Sequence, residues 1–126
     1  MKKTLLVVDD ELSIRMLLEH FLGTDYNVVT HENGKHAYDW LSSGNQPDLI
    51  LADLEMPVLD GFELLTKVHS NKTTSTIPCM IVSGKNKTEN YMKSFRMGAI
   101  DFLQKPFTPE ELTSRVKTIL KEHRPE

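Results

Sequence analysis

The sequence predicts an α/β fold of five βα units: a five-stranded parallel sheet of order 2-1-3-4-5 with helices on both faces. Three observations carry this reading. Short continuous apolar runs alternate five times with segments of helical period, the pattern of strands buried on both faces and joined by crossover helices. Right-handed crossovers leave few topologies for such a chain. Charged residues stand just after three of the runs, Asp9-Asp10, Asp53 and Lys105-Pro106, where strand carboxyl ends form the ligand edge of an open sheet.

Thr4–Val8 is the first strand, with the run Leu5-Leu6-Val7-Val8. The helix after it has the clearest period in the chain, Ile14, Leu17, Leu18, Phe21 and Leu22, and Gly23 suits its C′ position. Arg15, Glu19 and His20 fall on its wet face. Asn27–Thr30 is the second strand; Ala37, Trp40 and Leu41 carry a weaker helix, closed by the Ser42-Ser43-Gly44-Asn45 turn. Asp48–Ala52 is the third. Its helix starts at Asp60, which forms a capping-box pair with Glu63, and buries Phe62, Leu65 and Val68; Asn71–Thr76 reads as a polar surface loop. Cys79–Val82 is the fourth strand, followed by a helix whose sparse stripe, Tyr91, Met92 and Phe95, predicts a loosely held element ending at Gly98. Asp101–Leu103 is the fifth. The last helix has the best start signal, Thr108 as N-cap, Pro109 at the first helical position and Glu111 completing the box, and it turns Leu112, Val116, Ile119 and Leu120 inward.

At 126 residues and 39% hydrophobic content the chain is expected to be one domain, 1–126. A net charge of −3, a pI near 5.9 and no basic run longer than two residues argue against direct nucleic-acid binding. The single Cys79 has no disulfide partner and reads as a small hydrophobe. Asp9-Asp10 interrupts the first apolar run too early for a signal peptide or a membrane span, so a cytoplasmic protein without membrane association is expected. His20, His31, His36, His69 and His123 show no close ligand spacing.

The order 2-1-3-4-5 sets the ends of strands one and three side by side, so Asp9, Asp10 and Asp53 converge. Crowded carboxylates repel one another; a hard divalent cation offsets the repulsion and leaves one oxygen free to attack phosphorus. Singly, each signal has a plainer explanation: a turn or helix cap for Asp-Asp, a solvated loop for Lys105, a turn hydroxyl for Ser83, core packing for Phe102. Their joint occurrence favours a cation and phosphoryl site.

The motifs Val7-Val8-Asp9-Asp10-Glu11, Asp53-Leu54-Glu55-Met56-Pro57 with Asp60-Gly61, Val82-Ser83-Gly84 and Lys105-Pro106-Phe107 resemble, in order and spacing, the receiver domain of bacterial two-component response regulators of the chemotaxis-protein type. The resemblance spans essentially the whole chain and implies the flavodoxin-like (βα)5 fold. It implies that Asp53 takes a phosphoryl group from a sensor histidine kinase or phosphotransfer protein as an acyl phosphate. Asp10 would bind Mg²⁺ directly, Asp9 mainly through a water, and the Glu55 backbone carbonyl would complete the protein ligands. Lys105 would pair with a phosphoryl oxygen, and the Lys105-Pro106 bond would be cis. The Ser83 hydroxyl would turn toward the phosphoryl group and Phe102 would move inward, reshaping the surface of the fourth helix, fifth strand and fifth helix for a downstream protein. Arg15, Met16 and Phe107 would lie on the kinase-docking surface. The chain would be a monomer or weak dimer, with self-catalysed phosphotransfer and dephosphorylation rather than enzymatic turnover.

The sequence departs from the commonest pattern at Phe102, which lacks the tyrosine hydroxyl often found there; Ser83 in place of threonine is ordinary variation. Glu55 and Lys85, each two residues beyond a site residue, are expected to pair across the pocket mouth and hinder the hydrolytic water. Two receiver readings remain, a stand-alone signalling protein and a piece of a longer regulator with its effector domain beyond Glu126; the tail from Lys121 suits either. A Mg²⁺-dependent phosphatase of the haloacid dehalogenase type is the alternative from another class, because Asp53-Leu54-Glu55 mimics its nucleophile and acid/base spacing. That family places its nucleophile after the first strand, and this chain lacks room for a cap domain or substrate pocket.

Overall fold

The computed structural model describes residues 2–84 and 88–122. Strands β1 (Thr4–Val8), β2 (Asn27–His31), β3 (Leu49–Ala52), β4 (Cys79–Ser83) and β5 (Asp101–Gln104) alternate with helices α1 (Leu12–Leu22), α2 (Gly34–Ser42), α3 (Gly61–Ser70), α4 (Thr88–Arg96) and α5 (Pro109–Glu122). All neighbouring strands are parallel, in the order β2-β1-β3-β4-β5. Three strands run one residue further than the sequence predicts, to His31, Ser83 and Gln104, while β3 begins one residue later. Asp48 is spent on a join to β1 instead: its carboxylate accepts from the Thr4 amide at 2.8 Å and its amide donates to the Thr4 carbonyl at 2.7 Å.

Side chains alternate across the sheet and build two core layers. Leu6, Val8, Ile50 and Ile81 pack with Ala37 and Leu41 of α2 and Leu64, Leu65 and Val68 of α3. Leu5, Val7, Leu51 and Val82 pack with Leu18 and Leu22 of α1 and Leu112 and Val116 of α5. Burying both faces explains why these strands read as unbroken apolar runs.

Side-chain caps define the starts of α2, α3 and α5. Asp60 accepts from the Glu63 amide at 2.9 Å and Glu63 reaches back to the Asp60 amide at 3.3 Å, the predicted capping box. Thr108 Oγ1 accepts from the Glu111 amide at 3.1 Å, but the Glu111 carboxylate faces Arg115 at 3.6 Å. Asn33, which sequence reasoning missed, caps α2 through the His36 amide at 2.9 Å.

Several packing expectations need correction. In α3, Leu64 is buried beside the expected Leu65 and Val68, whereas Phe62 sits on the flank with the Lys93 amine 4.2 Å from its ring centre. Leu17 is exposed, and Arg15 is half-buried instead of wet. The segment after α3 is less superficial than its polarity suggests, because Thr74 is buried and donates to the Val68 carbonyl at 2.6 Å. In α4 the apolar stripe faces outward, with Tyr91, Met92 and Phe95 all exposed and Ser94 buried, its hydroxyl bonded to the Asn90 carbonyl.

Candidate functional site

The strand ladder delivers the acids to one point. Val8 pairs with Ala52 at the end of the β1/β3 register, and one step on the Asp53 amide donates to the Val8 carbonyl at 3.0 Å while the Asp9 amide donates to the His31 carbonyl at 3.1 Å. Backbone bonds thus fix both residues before any side-chain contact is made. Asp9 is 2% exposed and Asp53 6%.

Four residues, Asp9, Asp10, Glu11 and Asp53, each bring a carboxylate oxygen to within 4.8 Å of the others; Asp10 and Glu11 are exposed. Glu11 is the member the sequence reasoning left out of the ligand set, although it stands in the same acidic run. Its amide donates to Asp9 Oδ1 at 2.9 Å, and the Arg15 guanidinium donates to the Asp9 carbonyl at 2.6 Å, so the start of α1 closes over Asp9.

Lys105 enters from β5. Its amide donates to the Ser83 carbonyl at 2.9 Å, its bond to Pro106 is cis, and its amine lies 2.8 Å from Asp9 Oδ2, 3.6 Å from Asp53 Oδ2 and 3.8 Å from Glu11 Oε1. The same ladder step places the fully buried Ser83 beside it at the end of β4. Phe102 is buried, with its ring centre 5.5 Å from that of the exposed Tyr91. Glu55 lies exposed on the rim, which borders a cleft of about 510 Å³ lined by Asp10, Leu54, Glu55, Met56, Pro57 and Asp60. Lys85 lies outside the described residues. Of the three expected docking residues only Met16 is exposed; Arg15 and Phe107 are half-buried.

The electrostatics follow from burial. Desolvation pushes the Asp53 carboxyl above the ordinary carboxylate range; Lys105 opposes this, Asp9 adds to it, and the Leu54 and Glu55 amides oppose it. Burial works against the Lys105 ammonium, but the Asp9 hydrogen bond and the attraction of Asp53, Asp9 and Glu11 prevail and hold it above the usual lysine value. The site therefore keeps a permanent cation against an acid of weakened acidity.

Two backbone features shape the loop after Asp53. Val58 has a φ of 70° and the Leu59 amide donates to the Pro57 carbonyl at 2.7 Å, a tight three-residue turn that L side chains rarely adopt. At Gly61 a Cβ would collide with the Asp53 carbonyl oxygen and stand 2.8 Å from Leu54 Cα, so only glycine lets α3 begin this close to the acid.

All-oxygen donors, two buried and two open to solvent, fit a hard divalent cation that keeps part of its water shell. The lysine amine is a second positive centre for an anionic group. Together they suit phosphoryl chemistry.

Residues 5–117 match the family described as the response regulator receiver domain. The chain is 36% identical over 122 residues to the transcriptional regulatory protein SrrA of Staphylococcus aureus, covering 96% of this chain and 49% of that protein. It is 34% identical over 119 residues to histidine kinase P4 of Formosa agariphila, covering 94% of this chain and 9% of the kinase. The chain thus spans about half, or far less, of the length of these relatives. Among solved structures, a response regulator of Chloroflexus aurantiacus superposes with a TM-score of 0.90 at 34% identity, over 96% of this chain and 99% of that one. Chemotaxis protein CheY4 of Vibrio cholerae gives 0.87 at 29%, over 94% and 99%.

Proposed function

This chain belongs to the response regulator receiver domain family, and from that premise we propose that Asp53 is the acceptor of a phosphoryl group in a two-component phosphorelay. An oxygen of the Asp53 carboxylate attacks phosphorus in line as the bond to the donor histidine of a sensor kinase or phosphotransfer protein breaks, leaving an acyl phosphate. Lys105 meets the phosphoryl oxygens from one side. Asp9, Asp10, Asp53 and the Glu55 backbone carbonyl would hold Mg²⁺, which would neutralise the charge of the incoming group. Glu11 lies close enough to join this set or to orient its water.

The observation that supports this reading most is the Lys105 amine between two buried acids, 2.8 Å from Asp9 and 3.6 Å from Asp53. A structural ion pair needs one acid. Here the amine hydrogen-bonds to Asp9 and stands 3.6 Å from Asp53 Oδ2, near enough to meet an anionic group attached there.

Phosphorylation then switches the surface. A dianionic group with three acceptor oxygens favours the conformer that offers it more donors, with Ser83 turning toward it and Phe102 moving inward. Moving a 1:99 balance to 99:1 takes about 5.5 kcal/mol. One charge-assisted hydrogen bond, about 1.5–3 kcal/mol, is too little, so several contacts change together. The surface of α4, β5 and α5 is where a downstream protein would read the change, and where a weak dimer would form. Glu55 and Lys85 would guard the mouth against hydrolysis, and Arg15, Met16 and Phe107 would meet the kinase.

We read residues 1–126 as one receiver domain acting in the cytoplasm; no helix among the described residues is long and apolar enough to cross a membrane. That the chain covers only 49% of SrrA favours, as a second reading, a receiver joined to an effector in a longer regulator. Incubation with acetyl phosphate and Mg²⁺, followed by intact mass measurement, tests the acceptor role. One added phosphoryl group, absent in Asp53→Asn, is expected; no gain, a gain that persists in Asp53→Asn, or multiple turnover of a phosphate ester contradicts it.

A further inference from the structure

At the opposite edge of the sheet, five residues line a groove of about 370 Å³: Lys3 before β1, Tyr26 before β2, and Lys117, Leu120 and Lys121 of α5. The length of β1, roughly 3.3 Å per residue, separates it from the acidic site. Its floor is apolar, since Leu120 is buried and Tyr26 packs on the same core layer. Its rim is cationic. Lys117 and Lys121, four residues apart, share one face of α5, and Lys3 faces them across the floor.

None of these three lysines forms an ion pair among the described residues, whereas Lys35, Lys105 and Arg115 each face a carboxylate. A chain of net charge −3 therefore keeps three unneutralised amines around one apolar depression. Of the acids near this end of the sheet, Asp48 has its carboxylate on the Thr4 amide at 2.8 Å, and Asp25 adds to burial in raising the Tyr26 hydroxyl pKa. Nothing in the phosphoryl chemistry uses this groove.

We propose that this groove docks a short acidic segment of a partner protein carrying one large apolar side chain. The apolar side chain lies over Leu120 and the Tyr26 ring, and flanking carboxylates meet Lys3, Lys117 and Lys121. Charge complementarity fixes the sign of the partner, and the aliphatic floor fixes its anchor. A nucleic-acid strand fits less well, because the basic rim is confined to this one depression on an acidic chain.

The test uses the full chain and no phosphoryl donor. The probe is a capped pentapeptide with phenylalanine at its centre and glutamate at the other four positions, titrated at low salt and followed by amide chemical shifts. The expected result is movement of the amides of Lys3, Tyr26 and residues 117–121, with affinity reduced about tenfold or more in Lys117→Glu/Lys121→Glu. The neutral pair Lys117→Gln/Lys121→Gln should weaken binding in the same direction. Lys67→Glu/Lys72→Glu, with the same change in net charge elsewhere, should alter it by no more than about twofold. Absence of groove shifts at millimolar peptide, an equal loss in the Lys67/Lys72 pair, or tighter binding of a single-stranded oligonucleotide of equal charge overturns the proposal.

Discussion

Lys105 stands closer to Asp9 than to Asp53, 2.8 Å against 3.6 Å, so its amine binds the acid of β1 while remaining within reach of the acid of β3. Both acids are buried, and the amine offsets the repulsion between their carboxylates.

Replacing Lys105 with alanine leaves two desolvated carboxylates face to face. The variant should lose on the order of 3 kcal/mol in a denaturant titration at neutral pH. A loss under about 1 kcal/mol would mean that the pair is solvated and the lysine incidental.

Asp53→Asn should be more stable than the parent at neutral pH. Because burial raises the Asp53 pKa in the fold, the protein gains stability when this carboxyl is protonated, a gain complete below the unfolded value of about 3.9 and lost as pH rises through the higher folded value. The excess in Tm should therefore vanish in acid. Mg²⁺ should raise the Tm of the parent more than that of the variant. A variant less stable at pH 7, or an excess that persists in acid, would contradict the assignment.

The residue carrying the tight turn after Pro57 should tolerate a better choice than valine. Val58 is 72% exposed, so it contributes little packing, while its φ of 70° disfavours a β-branched side chain. Val58→Asn should stabilise by about 1 kcal/mol, read as a higher denaturant midpoint with an unchanged slope. An unchanged or lower midpoint would show that the turn relaxes in the folded protein.

The sheet was legible because its strands are buried on both faces, which turns Leu5-Leu6-Val7-Val8 and Leu49-Ile50-Leu51-Ala52 into runs that any reading finds. The convergence of Asp9, Asp10 and Asp53 followed from strand order alone. Less was legible where tertiary contacts choose among similar residues. Phe62 and Leu64 are both apolar and two residues apart, and packing against the sheet buries Leu64 and leaves Phe62 on the flank. Tyr91, Met92 and Phe95 satisfied a helical period yet face outward, since a period says that residues share a side and not what covers it. Glu11 and Asn33 were missed for another reason. Acids and amides are common at helix starts, and only the structure brings the Glu11 carboxylate within 4.8 Å of the other acids and the Asn33 side chain onto the His36 amide.

The most direct test of the central claim locates the acyl phosphate on the chain. After phosphorylation by acetyl phosphate and Mg²⁺, borohydride reduces a phosphorylated aspartate to homoserine, which tandem mass spectrometry assigns to a position. Homoserine at position 53 alone is the predicted result; homoserine at position 9 or 10, or none despite phosphoryl uptake, contradicts it.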